Sequence, residues 1–269
     1  MQFPKPPLPF YFGKPESRLF GCYHEPSLAW RRECAIVICQ PVGHEYINSH
    51  RALRQLASTL TSAGYPVLRF DYYACGDSAG EALDGTVAHW TQDVLTAISE
   101  IRSRTNLRRI CLIGLRLGAT LATLAAARQD DIESLVLWDP VIKGNIYLEE
   151  LHLLQKEMQR FRPKVWRLNR PENYMEVLGF PVSQLLVSEL KNLGLLTIGK
   201  TPVKNVLILR SQAVNGENDL KSVFSRTAAN VDCQSRDAAQ VWLPTANGSL
   251  LVPRELLQAI VSWISSVHS

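Results

Sequence analysis

The sequence predicts an α/β fold: a mostly parallel twisted sheet with helices on both faces and an inserted helical cap. Three observations predict it. Short apolar runs alternate with segments of helical spacing, the alternation lapses once and then resumes, and 269 residues suit one large α/β domain. Parallel strands need crossover connections, usually helices, so this alternation favours a sheet buried on both faces.

The first half of the chain supplies most of the predicted sheet. Gly64 follows an amphipathic run and is typical of a helix C-terminus. The runs at 34–39 and 110–113 are apolar throughout, which indicates central strands. The predicted elements are strands at 19–23, 34–39, 66–70, 110–113 and 135–138, and helices at 48–63, 87–101 and 117–127.

The second half contains the cap and the end of the core. Residues 140–200 show helical spacing at 147–160 and 182–193 but no convincing strand, so we predict a helical cap over that range. The pattern then resumes with a strand at 203–209, a helix at 218–229, a strand at 240–243 and a helix at 254–266. The core therefore comprises 1–139 and 201–269.

Composition excludes several classes of protein. A net charge of +4 with scattered basic residues argues against nucleic-acid binding but leaves anionic ligands open. No uncharged apolar stretch approaches the roughly 18 residues of a membrane span, and the proline-broken start lacks the apolar core of a signal peptide. Six dispersed cysteines show no CxxC pair or zinc spacing, so we expect reduced thiols in a cytoplasmic protein with no metal or cofactor.

The run Gly114-Leu-Arg116-Leu117-Gly118 joins a predicted strand to a predicted helix. Glycines four residues apart permit a sharp turn with close packing, the backbone that lifts a nucleophilic serine into an active site in Gly-x-Ser-x-Gly sequences. Arg116 stands where that serine would be.

With the segment Phe70-Asp71-Tyr72-Tyr73-Ala-Cys-Gly76-Asp77-Ser78, this turn and the order of elements resemble the serine aminopeptidase-like branch of the α/β-hydrolase superfamily. Gly-Leu-Arg-Leu-Gly-Ala at the turn, Leu137-Trp138-Asp139-Pro140-Val141 and Glu176-Val-Leu-Gly-Phe-Pro-Val-Ser183 are similar to the exosortase-system-associated hydrolases. The resemblance implies an α/β-hydrolase fold and an ancestry in hydrolysis of ester, thioester or peptide bonds.

The catalytic triad that the resemblance implies is degenerate. A guanidinium stays protonated and offers only donors, so Arg116 cannot act as a nucleophile. The loop at 244–249, where the family's histidine is expected, has Asn247 in that place. Glu217 or Asp219 could be a relic of the acid, although solvated loop or helix-start carboxylates explain them more simply.

A cation at a helix N-terminus opposes the helix dipole and needs a compensating anion. Asp139, which follows a predicted strand and matches the acid position of some thioesterase-like relatives, is one expected partner of Arg116. Glu45 is the other, and a bound anion is the alternative to both. Val42, Gly43 and His44 belong to a loop resembling the family's oxyanion loop, so backbone N–H groups there and at Leu117 could converge on a ligand.

Three functions follow. The first is a non-catalytic homologue that binds a small acyl or anionic ligand, or a protein partner. The second is an active hydrolase, thioesterase or acyltransferase with a displaced set such as His44, Asp139 and Ser78, although Gly76-Asp77-Ser78 is also typical of a simple turn. The third is a purely structural subunit.

Overall fold

The computed structural model describes residues 5–27, 31–160, 174–199, 201–212, 217–228, 230–245 and 248–268, without the side chains of Glu217 and Asn218. Within them the strands are β1 Leu8–Phe12, β2 Leu19–His24, β3 Cys34–Cys39, β4 Val67–Phe70, β5 Arg109–Leu115, β6 Ile132–Trp138, β7 Tyr174–Val177, β8 Phe180–Ser183, β9 Asn205–Arg210 and β10 Asn230–Ser235. The α-helices are α1 His44–Ser62, α2 Val87–Thr105, α3 Leu117–Ala126, α4 Gly144–Arg160, α5 Gln184–Lys191, α6 Glu217–Phe224 and α7 Arg254–Val267.

Eight of these strands form one sheet in the order β1-β2-β4-β3-β5-β6-β9-β10. The β1–β2 and β2–β4 pairs are antiparallel, whereas the other six strands of this sheet, β4, β3, β5, β6, β9 and β10, are parallel to one another. Every residue of β3 and β9 is buried. The predicted fold class is therefore confirmed.

Helices cover both faces of the sheet. Side chains of α2 and α3 pack on one face with the apolar residues of the cap, and side chains of α1 and α7 pack on the other. Because β3 and β5 are parallel neighbours, the carboxyl ends of these strands lie at the same edge of the sheet, and the turn after β5 lies there. Among the described helices, none is both long and apolar enough to cross a membrane.

The predicted strand at 240–243 is wrong. Residues 241–243 form a turn, while the last strand of the sheet is β10, which the sequence did not predict. The polar edge strand β10 is only partly buried and lacks an apolar run, whereas Val241 and Trp242 are buried without being in a strand. Apolar residues at 241–242 therefore signalled burial rather than a strand. The helix predicted at 218–229 also ends early, at Phe224.

The segment between β6 and β9 is not purely helical. Between α4 and α5, β7 and β8 form an antiparallel hairpin through Leu178 and Gly179, both at positive φ. Its strands have four residues each and are mostly half-buried, so they lack a distinct apolar period. The cap is tied to the core where Glu189 Oε2 accepts a 2.5 Å hydrogen bond from the N–H of Val87.

Candidate functional site

The turn between β5 and α3 has the strained backbone expected of a nucleophile elbow. Arg116 lies at φ 54° and ψ −122° and precedes the first residue of α3. A Cβ atom at Gly114 would lie 2.2 Å from Cα of Ala119, and one at Gly118 would lie 2.2 Å from the carbonyl oxygen of Cys39. Only glycine permits these approaches, so the chain retains the elbow although the serine is absent.

The Arg116 side chain is held by two carboxylates. Its Nε donates a 2.9 Å hydrogen bond to Oε1 of Glu45, and Nη2 donates a 2.5 Å hydrogen bond to Oε2 of Glu150. The rings of Tyr147 and Trp242 lie 5.4 and 5.0 Å from the guanidinium carbon, within the range of cation–π contacts. The arginine side chain is 11% exposed and that of Glu45 is 2% exposed. The charge is thus compensated within the chain.

Burial and pairing act in opposite directions on these groups. Burial lowers the pKa of Arg116, but Glu45 and Glu150 raise it by more, so its pKa is raised and the guanidinium stays charged. Burial raises the pKa of Glu45, while Arg116 and a 3.0 Å hydrogen bond from the Tyr147 hydroxyl oppose that rise. The carboxylate of Glu45 therefore depends on Arg116 to remain charged in a buried place.

Of the two expected partners, Glu45 is the one in contact with Arg116. Asp139 instead accepts hydrogen bonds from the Ser211 backbone N–H at 3.0 and 3.2 Å and from its hydroxyl at 2.5 Å. The expected Arg116–Asp139 pair is absent among the described salt bridges. Asp139 has a positive φ of 44°, and its side chain is bound to Ser211 at the end of β9 rather than to the elbow.

The oxyanion-type loop adjoins the elbow but encloses little space. Val42, Gly43 and Leu117 line a space of about 40 Å³, enough for water but not for an acyl group. His44 also lines it, and its buried Nε2 has no hydrogen-bond partner in the described part of the chain. Burial, reinforced by the charge of Arg116, lowers the pKa of His44 to about 4, so the imidazole is neutral at pH 7.

Ser78 lies in the loop after β4, where its hydroxyl is committed to the backbone. Its Oγ donates to the Asp71 carbonyl at 2.6 Å and accepts from the Phe20 N–H at 2.9 Å. The carboxylate of Asp71 accepts hydrogen bonds from Gln40, Tyr46 and the N–H of Asp77. These contacts correspond to the turn interpretation and supply no base to Ser78.

The structure describes the side chain of only one of the three remaining predicted positions, Asp219. Glu217 begins α6 and its side chain is outside the described structure, Asp219 is exposed on the same helix, and Asn247 lies outside the described residues. Sequence reasoning missed the three cap and loop residues that contact Arg116 or its partner, which are Tyr147, Glu150 and Trp242. Tyr147 and Glu150 are three residues apart on one helix, so they share a face, but nothing in the sequence indicated which face meets the elbow.

Two larger cavities flank the elbow. One, of about 310 Å³, lies between the loops after β3 and β4, Trp90 and the cap, and its lining includes Val42, Tyr72, Phe180 and Leu186. We call it the apolar cavity. The other, of about 530 Å³, contains Arg116, Asp139 and Glu150 among several charged residues. Within the described residues, no three histidine, cysteine or carboxylate side chains converge as a metal site.

The sequence profile of the hydrolase family described as serine aminopeptidase, S33, matches residues 35–215, more than half of the chain. The chain belongs to this family. It is also 30% identical over 115 residues to the human mitochondrial palmitoyl-protein thioesterase ABHD10. That match spans 41% of this chain and 36% of the thioesterase, so the chain covers little more than a third of that relative.

Solved structures of other α/β hydrolases show the same fold over nearly their whole length. The Est1E protein of Butyrivibrio proteoclasticus with bound ferulic acid superposes with a TM-score of 0.68 at 18% identity, covering 96% of this chain and 98% of that one. Mouse α/beta hydrolase domain-containing protein 10 gives 0.57 at 18% identity, covering 97% and 98%. The Pyrococcus furiosus esterase Pf2001 gives 0.63 at 17% identity, covering 98% and 93%. At these identities the likeness shows the fold alone.

Proposed function

We propose that this serine aminopeptidase S33 family member is a non-catalytic homologue that binds a small acyl-type ligand. The observation that carries the proposal is Arg116, which stands at the nucleophile position and is held there by Glu45 and Glu150. Acyl transfer needs a nucleophile that a neighbouring base can activate. A paired guanidinium has no available lone pair to attack a carbonyl, and it does not give up its proton at physiological pH.

The space at the elbow supports the same proposal. A reacting carbonyl would have to enter the 40 Å³ space beside Leu117 and the oxyanion-type loop. Oxyanion donors act only when the developing charge sits within about 3 Å of them. A space that admits only water keeps a substrate carbonyl away from that position.

The apolar cavity is the better place for a ligand. Its size falls at the lower end of the range for small-molecule sites, and its wall is mostly aromatic and aliphatic. An anion bound directly to Arg116 is disfavoured, because two carboxylates already compensate its charge and would repel the anion. Because an internal ion pair closes the elbow, an acyl ligand is favoured over an anionic one.

Two finer parts of the proposal rest on the sequence. The turn Gly-Leu-Arg-Leu-Gly-Ala and the cap passage from Glu176 to Ser183 support membership of the exosortase-associated group of hydrolases. Among the described residues, Cys22, Cys34, Cys39, Cys75 and Cys111 are free thiols, which supports a reducing compartment such as the cytoplasm.

Labelling with a fluorophosphonate, together with hydrolysis of a short aryl ester, tests the proposal. We expect neither labelling nor turnover above the buffer rate, with an active serine hydrolase as the positive control. The Ser78→Ala variant identifies any modified residue, since Ser78 belongs to the competing catalytic set. Labelling that this variant abolishes, accompanied by ester turnover, would replace our proposal with the active-hydrolase alternative suggested by the relatives named as esterases and a thioesterase.

A further inference from the structure

We infer that the apolar cavity takes a neutral amphipathic molecule, an aliphatic chain of the kind that an acyl ligand carries, with one uncharged hydroxyl head at Nε2 of His44. This inference rests on the proposed function and specifies the chemical class of its ligand. Three features of the described residues lead to it.

The first feature is the size and wall of the cavity. A volume of about 310 Å³ corresponds to the liquid volume of about ten waters, and so to roughly ten non-hydrogen atoms. Val42, Tyr72, Trp90, Phe180 and Leu186 line it. Burying a chain of that length against such a wall is favourable in proportion to the apolar area removed from water.

The second feature is the charge of the cavity. Among the described residues that line the cavity, Asp71 is the one charged side chain, and none is a lysine, arginine or histidine. The carboxylate of Asp71 already accepts hydrogen bonds from Gln40, Tyr46 and the backbone of Asp77. A ligand carboxylate here would lose its hydration, gain no cation and lie near a like charge, which is costly. An ammonium head would pair with the carboxylate of Asp71, which these three hydrogen bonds already occupy.

The third feature is the adjoining polar atom. The 40 Å³ space at the elbow shares part of its lining with the cavity, including Val42, Gly43 and Phe180, so the two adjoin. His44 lines this space and is 8% exposed, and its Nε2 is buried without a partner in the described part of the chain. Buried polar atoms are nearly always hydrogen-bonded, so this atom calls for a partner that enters from the cavity.

The imidazole also suits an uncharged head. Burial keeps the pKa of His44 near 4, so the ring is neutral at pH 7 and its Nε2 can donate or accept according to tautomer. A hydroxyl satisfies either tautomer, because it can both donate and accept a hydrogen bond. A hydroxyl is no larger than a water molecule, so it can enter the space at the elbow while the chain remains in the cavity.

Three probes of equal chain length test the inference: 1-octanol, octanoate and octylamine, titrated at pH 7.5 by calorimetry with thermal shift as a second measure. We expect 1-octanol to bind and to raise Tm, and octanoate and octylamine to bind at least about tenfold more weakly. The imidazole NMR signals of His44, assigned by their loss in His44→Phe, should shift when 1-octanol saturates the protein.

His44→Phe should weaken 1-octanol binding by about tenfold, the effect of losing one buried hydrogen bond. His152→Phe is the matched control, because His152 is exposed on α4 and lies outside the cavity lining, and it should bind 1-octanol as the wild type does. If His44→Phe does not fold, Val182→Phe fills the cavity from the cap hairpin and should abolish binding without altering the histidine.

The outcomes distinguish this inference from the proposed function. Octanoate binding as tightly as 1-octanol, or unchanged 1-octanol binding in His44→Phe, would overturn the neutral-head assignment while leaving a non-catalytic binding protein. Failure of the wild type to bind any of the three probes would overturn both the inference and the proposed ligand site. Hydrolysis of an octyl ester would instead overturn the non-catalytic function.

Discussion

The Nε atom of Arg116 lies 2.9 Å from Oε1 of Glu45, and this contact joins the N-termini of two helices, α3 and α1. A cation at the start of α3 opposes that helix dipole, whereas a carboxylate in the first turn of α1 is favoured by its own. In this pair, the favourable interaction of Glu45 with the α1 dipole offsets the unfavourable interaction of Arg116 with the α3 dipole. It also places an ion pair at the turn where the resemblance to serine hydrolases predicts a nucleophile.

Arg116→Ala should destabilise the protein by about 3–5 kcal/mol, because it leaves the buried carboxylate of Glu45 without its cation. Glu150→Gln is the matched control. The side chain of Glu150 is 48% exposed, so losing its ion pair should cost about 0–1 kcal/mol. Urea unfolding at pH 7 measures both free energies. Equal losses in the two variants would show that Glu45 does not depend on Arg116.

Arg116→Ser restores the family's residue at the elbow but should not create an esterase. No described histidine side chain is hydrogen-bonded at the elbow, and Asp139 is bound to Ser211, so the new hydroxyl would lack an activated base. Arg116→Ser also leaves the carboxylate of Glu45 without its cation. The double variant Arg116→Ser/Glu45→Gln removes that carboxylate, so that its lack of activity cannot be attributed to misfolding. Turnover of p-nitrophenyl butyrate should stay at the buffer rate in both variants, and a burst of nitrophenol would contradict the account.

Gly118→Ala should cost at least about 3 kcal/mol, because the new Cβ would lie 2.2 Å from the carbonyl oxygen of Cys39 and 2.5 Å from that of Gln40. Backbone atoms cannot give way as a flexible side chain can. Gly199→Ala has nothing within 4 Å and should change stability by less than about 0.5 kcal/mol. Thermal and urea unfolding compare the two. Similar small losses would mean that the elbow packs less closely than described.

Acid should destabilise the fold between pH 6.5 and 4. Burial lowers the pKa values of His24, His44 and His268 to about 4, below the ordinary value near 6.5 of the unfolded chain. The unfolded chain therefore binds more protons over that range, and stability falls as pH falls. Asp93, whose pKa burial raises to about 6, acts in the opposite direction.

A variant isolates one of these histidines. His268→Gln should flatten the decline by up to about 1.4 kcal/mol per pH unit, the maximum for one group. Urea unfolding of wild type and variant at half-unit steps from pH 4.5 to 7.5 gives the comparison. Parallel curves would show that His268 is not held neutral by the fold.

The sequence indicated most of the core correctly where elements were strongly patterned. The apolar run of β3 matched its predicted bounds, and the helix after Gly114–Gly118 began at Leu117 as expected. The polar edge strand β10 and the short hairpin β7–β8 were missed, because both are only partly buried and carry no clear apolar period. The apolar pair Val241-Trp242 was misread as a strand for the complementary reason: it is buried without pairing.

The sequence by itself determined that this chain adopts an α/β fold and that an arginine, which can neither lose its proton nor attack a carbonyl, stands at the strand–helix turn. Those conclusions depend on local pattern and on the chemistry of single residues. Only the tertiary structure decided that Glu45 rather than Asp139 neutralises Arg116, and that Glu150, Tyr147 and Trp242 enclose it. These contacts join residues 31 to 126 positions apart, and their geometry depends on how the cap and the helices pack, which no local sequence pattern encodes.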